Sequence, residues 1–205
     1  MLRQVLGRTN REFPMEWLRP VGTDRALIEA CIASGLPIDI TGQTALWGNA
    51  LRGKKATTVY CLSDEYLRVT GGMSGSVVEA ELVQLMSCLG NPFVDVLLLP
   101  LRRRPEDEQI LNALAAIEDA RVDGLIGTLG FKVLGGSFAV MSTWSMYDAF
   151  DLAVIPERTD LGPILPLAQD RRVGLVFEGS VPPGCTGPVL RRVESAADVG
   201  VSVAS

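Results

Sequence analysis

Three ionisable side chains, Asp39, Lys132 and Glu178, each stand at or near the end of a short apolar segment. Such segments have the composition of strands buried on both faces, and chemistry in parallel sheets usually lies at the carboxyl ends of the strands. A desolvated lysine acts as an amine nucleophile or a base, and carboxylates beside it can move protons. We therefore take these three residues as candidate catalytic groups. The alternative is that Asp39 is structural and that Lys132 and Glu178 are solvated or paired charges at the rim.

A fourth strand end carries a residue that cannot take part in such chemistry. The segment FVDVLLLPLRRRP (93–105) begins as a buried strand, and its charges follow immediately after the apolar run. Pro100 occupies the strand's carboxyl end, where a chemical group is expected. A proline side chain neither moves a proton nor donates a hydrogen bond. At this position a functional group either has been replaced or was never needed.

The chain contains no histidine. This absence removes the usual general base, a common metal ligand and every Ser-His or Cys-His nucleophile system. The four cysteines are widely spaced without a CxxC pair, which favours buried thiols over a zinc site or a disulfide framework. We predict no metal. The cysteines are Cys31, Cys61, Cys88 and Cys185.

Composition favours one compact domain spanning residues 1–205. The hydrophobic content is 47% and the charged content 21%, which is typical of a well-buried globular fold. A net charge of −5 argues against nucleic acid and anionic membrane as partners, because both bind basic surfaces. No apolar run reaches the roughly 18 residues of a membrane span, and the N-terminus lacks the apolar core of a signal peptide. We therefore expect a cytoplasmic protein.

Seven predicted strands alternate with helical or loop segments of crossover length, which requires parallel pairing and indicates an α/β protein. Helical spacing of apolar residues is clear in the segments that begin at Asp24 and Ser76, and further helices are predicted near 107–120, 138–146 and 164–169. The seven strands are MEWLRPV from Met15, LPIDIT from Leu36, ATTVYCLS from Ala56, VDVLLL from Val94, GLIGTLGF from Gly124, FDLAVIP from Phe150 and RVGLVFEG from Arg172.

A doubly wound sheet and an eight-stranded barrel both fit this alternation, and we favour a trimmed TIM (β/α)8-type barrel. The tail ADVGVSVAS supplies a possible short eighth strand at about residues 200–204. The chain is shorter than the ~250 residues usual for this architecture, so its loops and outer helices must be reduced. The carboxyl-end rim of such a barrel would carry Asp39, Ser63, Asp64, Glu65, Lys132, Glu157, Arg158 and Glu178.

Five segments, in order along most of the chain, resemble the aldo-keto reductase family. The segment LGRTN (6–10) is similar to the family's N-terminal hairpin, and the second segment is similar to its first helix and the strand that carries a catalytic aspartate. The remaining three are similar to later helix–strand units. The four segments that come after LGRTN are ALIEACIASGLPIDIT, AELVQLMSCLGNPFVDVLLLP, AAIEDARVDGLIGTLGF and ILPLAQDRRVGLVFEGSV. The resemblance implies a barrel of the aldo-keto reductase type.

The family reduces carbonyl groups with NADPH, using a tyrosine as acid together with a lysine, a histidine and an aspartate. The resemblance places the aspartate at Asp39. It places Thr44 where the tyrosine is expected, Ser63 where the lysine is expected and Pro100 where the histidine is expected. The nearest aromatic residue to Thr44 is Trp47, which has no acidic proton to give. Three of the four catalytic groups are therefore missing by this comparison.

The cofactor-binding residues also differ. Lys132 and Val133 stand in place of the Ser-Asn pair that holds the nicotinamide amide, and Glu178 replaces the tyrosine that stacks on the nicotinamide ring. We also expect no counterpart of the basic loop that grips the adenosine phosphate. The resemblance therefore implies that the protein uses no cofactor and lacks NADPH-dependent activity.

Three functions are compatible with these residues. The first is a catalytically degenerate barrel that acts in binding, scaffolding or regulation. The second is a cofactor-independent lyase, isomerase or cyclase that uses Lys132, Asp39 and Glu178 in a repurposed mouth. The third is a reductase completed by a partner chain. We expect a homo-oligomer or a protein partner, since trimmed outer helices would leave apolar surface, and a small-molecule ligand at the mouth is an open possibility.

Overall fold

The computed structural model describes residues 2–64, 74–90 and 92–200. The chain begins with an antiparallel hairpin of β1 (Arg3–Val5) and β2 (Glu12–Pro14). Leu6 and Phe13 from this hairpin pack with the apolar residues that fill the barrel, and Gly7 lies against the backbone at the start of a later strand, at Gly174. The hairpin therefore covers the amino-terminal end of the barrel, in agreement with the resemblance.

Eight parallel strands close into a barrel, and neighbouring strands in the barrel follow one another in the sequence. Each strand pairs in parallel with the next, and the last pairs with the first through five register pairs from Val189↔Glu16 to Val193↔Pro20. The strands are β3 (Glu16–Pro20), β4 (Ile38–Asp39), β5 (Thr58–Cys61), β6 (Val94–Leu101), β7 (Ile126–Val133), β8 (Leu152–Ile155), β9 (Gly174–Glu178) and β10 (Val189–Val193). All seven strands predicted from the sequence are confirmed.

Helices cover the outside of the barrel. Two of them, which begin near Asp24 and Ser76, end at Gly35 and Gly90, each in the left-handed region that glycine tolerates best. The helices of the described residues are α1 (Arg25–Ser34), α2 (Thr44–Leu51), α3 (Gly75–Leu89), α4 (Asp107–Val122), α5 (Ser137–Met146), α6 (Ile164–Asp170) and α7 (Ala196–Gly200). The five helices predicted from apolar spacing are all present.

The prediction that residues 200–204 form the eighth strand is wrong. The closing strand is β10, with the sequence VLRRV, and Gly200 ends the short helix α7. Residues 201–204 lie outside the described part of the chain. The segment that joins β9 to β10, residues 179–188, contains no helix. The outer helix expected between these two strands is therefore one of the parts by which this barrel is shortened.

Two apolar layers follow from the alternation of side chains along each strand. On β6, Val96 and Leu98 point into the barrel, whereas Leu97 and Leu99 pack under the helices. The interior layer also includes Trp17 on β3 and Cys61 on β5. The lower interior is therefore filled mainly with apolar side chains, and the charged side chains that point inward lie at the strand ends above them.

Pro100 is accommodated because β6 extends beyond its neighbour β5. The carbonyl of Leu98 accepts a hydrogen bond from the amide of Leu62, so backbone groups of residues 98 and 100 face β5. The last register pair between the two strands is Cys61↔Leu98. The next donor from β6 towards β5 would be the amide of residue 100, which proline lacks, and the ladder between the two strands ends at this point.

Candidate functional site

The carboxyl ends of four barrel strands bring four charged side chains together. Arg19 lies on β3, Asp39 on β4, Lys132 on β7 and Glu178 on β9. The structure thus joins all three candidate residues from the sequence and adds Arg19. Two cations and two carboxylates form one chain of ion pairs, which we call the mouth network.

Arg19 is the centre of the mouth network. Its Nε lies 2.7 Å from Asp39 Oδ2, and its Nη1 lies 2.6 Å from Glu178 Oε1. Asp39 Oδ1 accepts a further hydrogen bond from the Thr41 amide at 3.0 Å. The side chain of Asp39 is only 2% exposed, so its charge depends on these donors.

Lys132 completes the network. Its Nζ lies 3.0 Å from Glu178 Oε1, the oxygen that also faces Arg19. Burial acts to raise the pKa of Glu178, but the charges of Arg19 and Lys132 outweigh it and hold that pKa below its ordinary value. Glu178 is therefore an ionised partner for two cations and is not available as a proton donor near neutral pH.

Arg19 itself is stabilised in its charged form. Burial opposes the charge, but Asp39 and Glu178 together raise the pKa of the guanidinium. Its Nη2 is buried and makes no hydrogen bond within the described residues. Arg19 was not among the residues predicted from the sequence, although a signal was present: Trp17 and Arg19 are two residues apart, and so share the inward face of β3.

Cys61 is the inward side chain at the end of β5, on the strand from which the resemblance expects the catalytic lysine. The thiol is buried next to the mouth network, and burial raises its pKa to about 12 against the opposing charge of Lys132. It is therefore a neutral thiol. Ser63 lies two residues beyond the strand end, where its amide donates to Glu81 Oε1 at 2.7 Å.

The other residues that the resemblance compares with catalytic or cofactor-binding positions lie on α2, β6 and β7. Thr44 is the first residue of α2, and Trp47 is fully buried in that helix with its Nε1 donating to Gln43 Oε1 at 3.3 Å. Pro100 pairs in register with Lys132 on the neighbouring strand. Val133 is buried in the apolar layer beneath the helices, so it does not join the mouth network.

The other predicted rim residues make local contacts. Asp64 binds Arg102 at 2.8 Å across two loops, and Glu157 Oε1 accepts a hydrogen bond from the Ser180 hydroxyl at 3.1 Å. Arg158 makes no ion pair within the part of the chain that the structure describes. Glu65 lies outside the described residues.

A cavity of about 710 Å³ opens beside the network, between the loops that follow β7 and β8. Lys132 and Glu178 form part of its wall, and Arg158 and the 85% exposed Phe138 contribute at its edge. The cavity therefore combines two cations, two carboxylates and an aromatic ring, since Asp160 also lines it. Its further lining residues are Val133, Leu134, Gly135, Gly136, Ser137, Pro156, Thr159 and Asp160.

In the described ranges, 2–64, 74–90 and 92–200, no group of three or more His, Cys, Asp and Glu residues is arranged to hold a metal ion. No helix in these ranges is long and apolar enough to cross a bilayer. The candidate site is therefore defined by the mouth network and the cavity beside it.

Together, the fold and site define a (β/α)8 barrel with an ionic cluster at its carboxyl-end mouth. No protein-family model and no curated protein sequence matches the chain, but solved structures do. An aldo-keto reductase from Bacillus halodurans in its holo form superimposes with a TM-score of 0.78, at 14% identity over 97% of this chain and 88% of that chain.

Two further aldo-keto reductases share the architecture. A thermostable aldo-keto reductase in complex with the inhibitor epalrestat gives a TM-score of 0.67 at 17% identity, over 99% of this chain and 96% of that chain. One from a Medee basin deep-sea metagenome library gives 0.67 at 13% identity, over 85% and 67%. The chain therefore has the aldo-keto reductase type of barrel, as the sequence resemblance predicts.

Proposed function

We propose that this protein is a non-redox binding protein built on the aldo-keto reductase type of barrel. The observation that carries the proposal is the mouth network itself. Arg19 and Lys132 neutralise Asp39 and Glu178 at the position where a carbonyl substrate and a nicotinamide ring would meet in a reductase. Charges that are paired and partly desolvated stabilise one another, so none of these four side chains is a free acid or base.

The distribution of possible proton donors supports this proposal. The chain has no histidine and three tyrosines. Tyr60 donates to Glu81 between β5 and α3, and Tyr147 donates to Asp107 at the outer surface. The third, Tyr66, lies outside the described residues. A reductase needs an acid beside the hydride acceptor, and none of the described tyrosines belongs to the mouth network.

The cavity beside the network suits a small ligand with an acidic group and an apolar body. Arg158 is the cation at its edge that no carboxylate of the described chain engages, whereas Lys132 is already paired with Glu178. Phe138 offers an exposed ring for an apolar or aromatic part of the ligand. Binding of this kind requires neither a cofactor nor a proton transfer.

A fluorescence titration with NADPH tests the non-redox half of the proposal. We expect no saturable change up to high micromolar NADPH, because Glu178 stands where a stacking ring is needed and Lys132 is engaged. A dissociation constant near 1 µM would require about 8 kcal/mol of binding free energy and would favour a reductase. Small aromatic carboxylic acids are expected to bind in the same assay. Their failure to bind at millimolar concentration would contradict the proposal that the cavity binds an acidic ligand.

A cofactor-independent enzyme is the second candidate, because an amine and two carboxylates do meet at the mouth. A lysine that is charged and paired is not a nucleophile. We therefore expect no adduct on Lys132 after treatment with small aldehydes and ketones followed by borohydride, read by peptide mass spectrometry. The matched control is the exposed Lys54, which reports background labelling.

The outcome that would overturn this expectation is a stable adduct on Lys132 above the Lys54 background. In that event Lys132→Met should abolish the adduct while the circular dichroism spectrum stays unchanged. The lyase, isomerase or cyclase alternative would then replace the binding protein as the function that the site supports best.

A further inference from the structure

A second buried carboxyl group lies outside the mouth network. Glu81, on α3, is 5% exposed and packs against β5. Its Oε1 accepts two hydrogen bonds, from the Tyr60 hydroxyl at 2.7 Å and from the Ser63 amide at 2.7 Å. Its Oε2 is buried and makes no hydrogen bond within residues 2–64, 74–90 and 92–200.

This asymmetry fits a neutral carboxyl group better than a carboxylate. An ionised carboxylate carries its charge on both oxygens and needs donors at both when it is buried. In a neutral carboxyl group, the carbonyl oxygen accepts both hydrogen bonds and the other oxygen carries the proton. Glu81 fits this pattern with Oε1 as the carbonyl oxygen and Oε2 as a neutral hydroxyl, whose lack of a partner within the described residues costs less than an unpartnered charge would.

Within residues 2–64, 74–90 and 92–200, no positive charge pairs with Glu81. The described groups that act on Glu81 are the Tyr60 hydroxyl and the Ser63 amide, the thiol of Cys61 lies close by, and none of them is a cation. Within the described chain, α2 and α4 contribute no ion pair or hydrogen bond to Glu81. The nearest ion pair along the chain joins Asp64 to Arg102, so the charge of Arg102 is already balanced by Asp64.

We propose that Glu81 is a pH-sensitive latch for the turn that follows β5. In its neutral form it ties Ser63 and Tyr60 to α3, and in its ionised form the buried charge weakens this attachment. Ser63 immediately precedes Asp64, whose carboxylate binds Arg102 on the next loop of the mouth. The latch therefore links the protonation of a helix residue to the position of the mouth rim, independently of what the mouth binds.

The direction of the pH effect follows from the burial of Glu81. Burial raises the pKa of Glu81 and outweighs the hydrogen bonds from Tyr60 and Ser63, which act to lower it. A group whose pKa is raised by folding stabilises the fold below its unfolded pKa, and this contribution is lost as the pH rises through the folded pKa. Burial also raises the pKa of Tyr60, so the phenol does not titrate in the same range.

Two measurements test the latch. The first is a carboxyl-carbon NMR titration of the wild-type chain, in which Glu81 should titrate at higher pH than the exposed Glu79 on the same helix. The second is hydrogen exchange at the Ser63 amide, where the protection factor should fall as the pH rises above the Glu81 midpoint. In Glu81→Gln, which keeps an acceptor but cannot ionise, this fall should disappear. Glu79→Gln is the matched control and should behave as wild type.

Equal titration midpoints for Glu81 and Glu79 would overturn the proposal, as would the same pH dependence of Ser63 protection in Glu81→Gln and wild type. The titration is read on the unmodified chain, so it decides the question even if Glu81→Gln does not fold. A midpoint above that of Glu79, with pH-independent protection in the variant, is the supporting result.

Discussion

Replacing Arg19 with methionine is expected to lower the free energy of unfolding by roughly 3 kcal/mol, because removing one partner of a buried ion pair leaves an uncompensated charge. Asp39, which is 2% exposed in the wild-type structure, would keep only the Thr41 amide as a donor among the described residues. Methionine retains most of the volume of the aliphatic part of arginine, so the loss reports the charge and not a cavity. Urea unfolding at pH 7, followed by tryptophan fluorescence, measures it.

Arg192→Met is the matched control for Arg19→Met. Arg192 lies on the neighbouring strand β10 and pairs with Glu194, but the two side chains are 69% and 67% exposed. An exposed ion pair contributes about 0–1 kcal/mol, so this variant should unfold close to wild type. Similar losses in the two variants would show that the mouth network is solvated and would remove the observation on which the proposed function depends.

The mouth network also predicts the acid side of the stability profile. The pKa of Glu178 is held below its ordinary value, so its contribution is present above the pKa of an unfolded glutamate and is lost as the pH falls through the folded value. In Arg19→Met this acid-dependent loss should be smaller than in wild type, because Glu178 then has one cation instead of two. Urea unfolding of wild type and Arg19→Met at a series of lower pH values measures the acid-dependent loss of stability in each protein.

Much of the fold was predictable because the periodicity of strands and helices is a property of short stretches of sequence. Segments such as ATTVYCLS and SVVEAELVQLMSCLG match the burial of β5 and α3, and their glycine and charged neighbours mark the ends. The closing strand β10 was missed because VLRRV has two adjacent arginines and reads as polar. One of them, Arg191, pairs with Glu16 on β3, and this pairing exists only once the barrel has closed.

The candidate site was predicted in part. Strand-end positions for Asp39, Lys132 and Glu178 follow from the alternation of elements, because parallel strands in a barrel direct their carboxyl ends to one mouth. Which charges meet across the mouth depends on the register between distant strands, and no local pattern encodes that. Arg19 therefore escaped notice, although it contacts both carboxylates. The role of Glu81 was not predicted either. The segment VVEAEL has the pattern of an ordinary amphipathic helix, and this pattern does not show which strand residues the glutamate contacts.

The loop that follows β7 depends on a close approach between backbones. A side-chain carbon at Gly135 would overlap the carbonyl oxygen of Arg102 on the neighbouring loop. The adjacent Leu134 amide donates to the Leu101 carbonyl at 2.9 Å, which holds the two loops together. Since backbone atoms cannot move aside as a flexible side chain does, only glycine fits at this position.

Gly135→Ala is therefore expected to destabilise the protein by about 2–3 kcal/mol, the upper part of the range for overpacking a well-packed site, and to displace the cavity wall next to Lys132. The neighbouring Gly136 gives a matched control. A side-chain carbon there meets nothing within 4 Å, and its φ of −69° suits alanine, so Gly136→Ala should stay within about 1 kcal/mol of wild type. Urea unfolding of the two variants separates a backbone clash from a general effect of removing a glycine. Equal stabilities would mean that the loops after β6 and β7 can move apart freely, and the cavity between the loops after β7 and β8 would then lack the fixed wall that ligand binding requires.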